Sequence, residues 1–168
     1  MGGRGAKWRL LPTSSMSSPL PASDLFSGTV DYALDNKGRV TVPSSWRLKG
    51  AATETFHLVP DSKGACLRIM RRDRFAKFGE DARTKLGLDE KNHRIFMRQF
   101  YANSTEVVTD KQGRINIPKD YCERLGLRGT VTLVGAGDVI EVWNKEALTT
   151  RNAQEEPQYT FYAGEMGL

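Results

Sequence analysis

Two stretches of this 168-residue chain put the same charged residues at the same spacing. DNKGRVTVP runs from Asp35 to Pro43 and DKQGRINIP from Asp110 to Pro118, 75 positions later. Their shared form is D-x-x-G-R-[VI]-x-[VI]-P. An Asp in the first position can accept hydrogen bonds from the N–H groups of a tight turn. A Gly in the fourth can take the positive φ that a short hairpin turn needs. Asp35, Gly38, Asp110 and Gly113 are therefore read as hairpin-shaping. A turn by itself needs no arginine. Val40 and Val42, and Ile115 and Ile117, alternate on one face of a strand, which sends Arg39 and Thr41, and Arg114 and Asn116, to the other. Two roles stand open for the arginines. Each can pair with the Asp four residues before it and close the hairpin. Each can also project from a β-ribbon, which fits the major groove of DNA, where a guanidinium binds guanine or phosphate through two hydrogen bonds. Lys37 and Lys111 add positive charge at the hairpin tips.

Other chemistry is sparse. His57 lies in a strand and His93 among charges on a helix, and neither has a motif partner. HExxH, GxSxG and Walker sequences are absent, as is metal-ligand spacing, so neither catalysis nor a cofactor or metal is expected. GAGD (Gly135–Asp138) links two apolar strands and reads as a hairpin turn rather than a nucleotide-binding loop. Cys66 and Cys122 form no CxxC and read as reduced core thiols in a reducing compartment. A second basic cluster, Arg68, Arg71, Arg72, Arg74 and Lys77, is either a solvated face paired in part with Asp73 or a phosphate-contacting patch.

The formal charge is +5 and the pI about 9.3, which suits a polyanionic partner. Phe26–Phe100 holds 15 basic and 9 acidic residues, whereas Tyr101–Thr150 holds 6 and 7, so the excess belongs to the first half. No run of 18 apolar residues exists to span a membrane, and no apolar run near the start suits a signal peptide.

The elements that hold the two motifs also recur. FHLV (Phe56–Val59) precedes VTLV (Val131–Val134), and CLRIM (Cys66–Met70) precedes VIEVW (Val139–Trp143), with a turn two residues longer in the first copy. Each copy therefore reads as a duplicated β-unit of about 45 residues. Val30, Tyr32 and Leu34 alternate in the strand before the first motif. Pro43 and Pro118 each end a strand and open a helical turn, anchored by Trp46 or Tyr121 three residues on. Between the units, Phe75, Phe78, Ala82 and Leu86 fall at helical spacing behind Asp73 as N-cap, and Gly87 ends that helix. Asp89 caps a second helix carrying Ile95, Phe96 and Phe100. The expected division is a disordered extension over 1–25, unit 1 over 29–75, linking helices over 76–103, unit 2 over 104–148 and a loose tail over 149–168. Met16, inside the Ser/Pro-rich extension, offers a second start besides Met1. Units this small bury too little surface alone, so the two are expected to share one core.

The doubled motif closely resembles the MraZ family of bacterial transcriptional regulators, whose units are of the SpoVT–AbrB class. So do Phe26-Ser-Gly28, LVG (Leu133–Gly135), IEVW (Ile140–Trp143) and RIFMRQFYANSTEV (Arg94–Val107). The likeness covers roughly Phe26–Thr150. It implies a mostly-β fold with linking helices, in which tandem AbrB-like units form an intramolecular swapped-hairpin β-barrel. It implies a higher homo-oligomer, ring-like in form, and a cytoplasmic, nucleoid-associated protein. The implied activity is sequence-specific binding of double-stranded DNA at short direct repeats upstream of its own gene and the division and cell-wall cluster, usually with repression. Carried over, Arg39 and Arg114 contact DNA beside Thr41 and Asn116, and Lys37 and Lys111 lie at the phosphates. The chain departs from the family pattern in its N-terminal extension, its short C-terminal tail and a second unit that is not basic overall.

A ring-forming scaffold is the competing class, with the motif arginines bridging subunits. An antitoxin-like regulator would need a partner-binding tail.

Overall fold

The computed structural model describes residues 25–168. The expected disordered extension and the Met16 start lie outside the described residues. In chain order, β1 (Phe26–Ala33) and β2 (Arg39–Thr41) lead into a 3-10 turn (Ser44–Trp46), then β3 (Thr55–Pro60) and β4 (Leu67–Arg71). Two helices follow, α1 (Arg72–Leu86) and α2 (Glu90–Ala102). The pattern then repeats as β5 (Thr105–Val108), β6 (Arg114–Asn116), α3 (Lys119–Leu125), β7 (Thr130–Gly137) and β8 (Val139–Asn144), and α4 (Lys145–Glu165) ends the chain.

The strands interleave. One antiparallel sheet runs β1-β7-β8-β4-β3-β5. Read from either edge, the order is first strand of one unit, third and fourth strands of the other, then the reverse. Thus β1 pairs with β7 over the full length of both, Phe26 opposite Gly137 and Ala33 opposite Thr130, while β5 pairs with β3, Thr105 opposite Leu58. The two motif strands, β2 and β6, form a separate two-stranded ribbon. Each unit therefore completes the other, as the swapped reading implies. A closed sheet is not seen among the described residues, where β1 and β5 are the edges of the six-stranded sheet and the ribbon is a separate two-stranded sheet. Alternating side chains explain how the pieces still share a core. Val40, Val42, Ile115 and Ile117 are buried from the ribbon side, and Phe56, Leu58, Leu67, Ile69, Val131, Leu133, Ile140 and Val142 from the sheet. Val30, Tyr32 and Leu34 pack half-buried at its margin. Truncating one of these, such as Ile115 to Ala, would cost about 2–5 kcal/mol.

Turns and caps follow local chemistry. Pro43 and Pro118 are the residues immediately before the 3-10 turn and α3, and Trp46 and Tyr121 are buried. Asp89 caps α2 by accepting from the Asn92 N–H at 2.8 Å, and Gly87 ends α1 with φ 57°. Asp73 is not the cap expected of it. Strand β4 runs straight into α1 at Arg72, so Asp73 lies in the first turn, where its charge still suits the helix dipole. Phe75, Phe78, Phe96 and Phe100 stack between α1 and α2, but Ile95 and Leu86 point to solvent. Residues 149–168, read as a loose tail, are mostly helix α4. Asn144 caps it by accepting from the Ala147 N–H at 3.0 Å, and Pro157 sits inside it. Among the described residues no helix is long and apolar enough to cross a membrane.

Candidate functional site

The two motif turns are built alike, atom for atom. In the first, Asp35 Oδ1 accepts from the backbone N–H of Lys37 at 2.9 Å and of Arg39 at 2.8 Å. In the second, Asp110 Oδ1 accepts from Gln112 and Arg114, each at 2.9 Å. The Gly38 N–H closes on the Asp35 carbonyl at 3.0 Å, and Gly113 on Asp110 at 2.9 Å. The glycines take φ of 78° and 77°, a conformation that favours glycine over any residue with a Cβ. Gly38 has a second reason: a Cβ there would come within 2.4 Å of the Ile117 carbonyl oxygen. All four residues thus take part in the bonds and backbone angles of the two turns.

The arginines meet the carboxylates. Arg39 Nε donates to Asp35 Oδ2 at 2.6 Å, and Arg114 Nε to Asp110 Oδ2 at 2.7 Å. Backbone donation from Arg39, aided by its side chain, holds the Asp35 carboxyl below the usual range, and Arg114 does the same for Asp110. Both guanidinium side chains stay about a third exposed, at 35% and 31%. A guanidinium carries five N–H donors, and this ion pair engages the one on Nε. The hairpin-closing role therefore leaves room for a second acceptor.

Pairing of the ribbon brings the predicted residues together. Arg39 lies opposite Asn116, Val40 opposite Ile115 and Thr41 opposite Arg114. Val40 and Ile115 are buried, so period two puts Arg39, Thr41, Arg114 and Asn116 on the one outward face. Residues from two distant motifs become cross-strand neighbours. Lys37 and Lys111 are exposed in the turns at its ends.

The second basic cluster is mostly consumed by ion pairs. Arg68 reaches Asp61 at 3.1 Å and Glu141 at 3.9 Å. Arg71 Nε donates to the buried Glu54 at 2.8 Å, and its guanidinium lies 4.4 Å over the Phe26 ring. Arg74 pairs with Asp138. These carboxylates come from other strands and turns, not from Asp73. Arg72 and Lys77 are the cluster's solvent-exposed members.

Arg47 was not singled out from the sequence. Its guanidinium lies against Gly113, where a Cβ would meet Cζ and Nη1 at 2.5 Å. Comparing Trp46-Arg47 with Tyr121-Cys122 across the repeat would have shown the asymmetry. Cys66 is buried and free, its thiol pushed up to about 12 by burial; Cys122 is free and half-buried. His57 is stacked 4.1 Å from Phe75, and burial lowers its pKa. Among the described residues no group of three or more His, Cys, Asp or Glu side chains could hold a metal ion.

Comparison with known families adds one finding. A family model described as "MraZ protein, putative antitoxin-like" matches the chain twice in tandem, over residues 25–99 and 100–158.

Proposed function

Because the chain belongs to the MraZ family, a regulator-type rather than an enzyme family, we propose that it is a sequence-specific DNA-binding transcriptional regulator. In this reading it represses at short repeats upstream of its own gene, and works in the cytoplasm at the nucleoid. One observation carries the proposal. Arg39, Thr41, Arg114 and Asn116 share the outward face of a single two-stranded ribbon, with lysines at both ends. A ribbon of this kind fits the major groove. There Arg suits guanine O6 and N7, Asn suits adenine N6 and N7, and Thr can pack its methyl on thymine. The ion pairs to Asp35 and Asp110 fix the arginines before DNA arrives, which lowers the ordering cost of binding.

The in-chain carboxylate partners also weigh against the scaffold reading, since neither arginine needs a neighbouring subunit to neutralise it. Self-association has a different candidate surface. Tyr159, Phe161, Tyr162, Met166 and Leu168 are all exposed at the end of α4. We read this as the contact through which copies assemble, so that several modest ribbons engage a repeated site together.

The test is fluorescence anisotropy with DNA from upstream of the gene and a scrambled duplex, for the full chain and for Arg39→Ala and Arg114→Ala at matched oligomer size. Each substitution should cost about 1–3 kcal/mol on the upstream duplex and little on the scrambled one. Equal weak binding to both duplexes, unchanged in the variants, would sink the proposal. A change of particle size in Arg39→Ala with DNA binding intact would favour the scaffold.

A further inference from the structure

The two hairpins share their turns but not their surroundings. The halves superpose in bonding. Leu34 N–H donates to the Gly129 carbonyl at 2.7 Å, and its counterpart Thr109 donates to Glu54 at 2.9 Å. Ile117 donates to Gly38 at 2.7 Å, and Val42 to Gly113 at 2.9 Å. Residues 75 apart therefore occupy equivalent places. Around the second turn the counterparts of Lys37, Lys119 and Arg128 are Gln112, Ser44 and Thr53, Lys111 stands in the place of Asn36, and Arg47 packs its guanidinium onto Gly113, which is buried. Around the first turn the same places hold Lys37, Lys119 and Arg128, and the position of Arg47 is taken by Cys122. Gly38 is correspondingly half-exposed. Beside the first turn lies an open pocket of about 590 Å³. Its wall includes Gly38, Cys122 and Leu127, and Lys37, Lys119 and Arg128 line it.

We infer that this pocket holds one backbone phosphate of bound DNA, through a set of three cations that the second hairpin does not repeat. The argument is one of charge and space. Three cations line a cavity beside the first turn, whereas at the second turn the guanidinium of Arg47 lies against Gly113. The acidic groups nearby leave that charge available. Asp35 is occupied by Arg39 and the turn N–H groups. It lines the pocket but is taken up by that pairing. Asp120 and Glu123 both act on the lining Cys122; Asp120 is exposed, and Glu123 holds Lys119 only loosely, at 3.7 Å with both side chains exposed. The pocket adjoins the tip of the hairpin that carries Arg39, so a phosphate seated there flanks a base contacted by the ribbon. An asymmetric phosphate contact gives a nearly two-fold ribbon a direction along the duplex. This inference rests on the DNA-binding reading.

The experiment titrates salt. Full-length wild type, Lys119→Gln, Arg128→Gln and a control, Lys77→Gln on α1, bind the upstream and scrambled duplexes by anisotropy at several salt concentrations. Each pocket substitution should flatten the slope of log K against log salt by about 0.9 per lost contact, with the preference for the upstream duplex unchanged. The control should keep the wild-type slope. Selective binding with unaltered slopes in both pocket variants would overturn the phosphate site while leaving the regulator reading intact. Equal flattening in Lys77→Gln would overturn it too, since the effect would then be diffuse charge. Failure of wild type to prefer either duplex would overturn the regulator reading, and the pocket assignment with it.

Discussion

Alanine at the two motif glycines should have unequal costs, although both glycines occupy the same turn. At φ 78° for Gly38 and 77° for Gly113, a Cβ alone costs about 1–2 kcal/mol in the left-handed region. What the Cβ meets then decides the difference. At Gly113 it meets the guanidinium of Arg47 at 2.5 Å, the far end of a flexible side chain that can swing aside. At Gly38 it meets the Ile117 carbonyl oxygen at 2.4 Å, far below the 3.0 Å that real Cβ atoms keep. That oxygen belongs to a backbone pinned by the 2.7 Å bond from the Ile117 N–H to the Gly38 carbonyl. Relief requires shifting the end of β6 and giving up that bond, worth about 0.5–1.5 kcal/mol, on top of local repacking. Gly113→Ala should therefore lose about 1–2 kcal/mol and Gly38→Ala about 3 kcal/mol. Urea unfolding followed by tryptophan fluorescence reads this directly. With a slope of about 2 kcal/mol per molar, the midpoints should fall by about 0.7 M and about 1.5 M. Equal shifts, or a larger one for Gly113→Ala, would refute the claim that the Ile117 backbone is the rigid partner.

Acid should weaken the hairpins. Asp35 and Asp110 are held below the ordinary carboxylate range by the N–H groups and guanidinia of Arg39 and Arg114. Their contribution is complete above the unfolded pKa of about 3.9 and is lost as pH falls through the lower folded value. Asp35→Asn should accordingly flatten the drop in melting temperature below about pH 4, and an unchanged acid limb would contradict this. His57 acts at higher pH. Burial against Phe75 lowers its pKa, and Arg72 adds to this, while Glu106 opposes it from 3.7 Å. The stability it lends is present above about pH 6.5 and lost as pH falls through the folded value, so His57→Leu should make melting less pH-dependent between about pH 5 and 7. Removing residues 157–168 should lower the particle mass seen by light scattering and weaken binding to repeated sites while sparing a single site; an unchanged mass would relieve α4 of any part in assembly.

Much of this architecture was legible because it was written twice. The alternation of Val40 and Val42 against Arg39 and Thr41, matched in the second copy, gave both the buried face and the outward face. Phenylalanine spacing gave α1 and α2, and Asp89 gave a true cap. Three features escaped for physical reasons. Alternation says which side chains turn inward, but not whether the last strands bond to each other, so the division into a six-stranded sheet and a two-stranded ribbon is not readable from sequence. The acids that neutralise Arg68, Arg71 and Arg74 are Asp61, Glu54, Glu141 and Asp138, most of them distant in sequence, so a local charge count offers only Asp73 as a partner and leaves a phosphate-contacting patch open. In α4, the polar composition and Pro157 masked a helix whose start was nonetheless marked by Asn144. The asymmetry between the hairpins was visible in Arg47 and Cys122, yet only the pairing of the two turns gave it meaning.

The strand order has a consequence for how this molecule comes into being. Because β1 must find β7 about a hundred residues later, and β5 must return to β3, neither half has a finished sheet until both are made. A cut in the short link at residues 87–89 would leave two fragments that still grip each other, separable only by unfolding. The same register is open between copies, since β1 of one chain meets β7 of another with no new contact required. Newly made chains crowded together can therefore thread into one another like mismatched zips. Dilute refolding should recover single closed chains, and concentrated refolding a ladder of entangled ones.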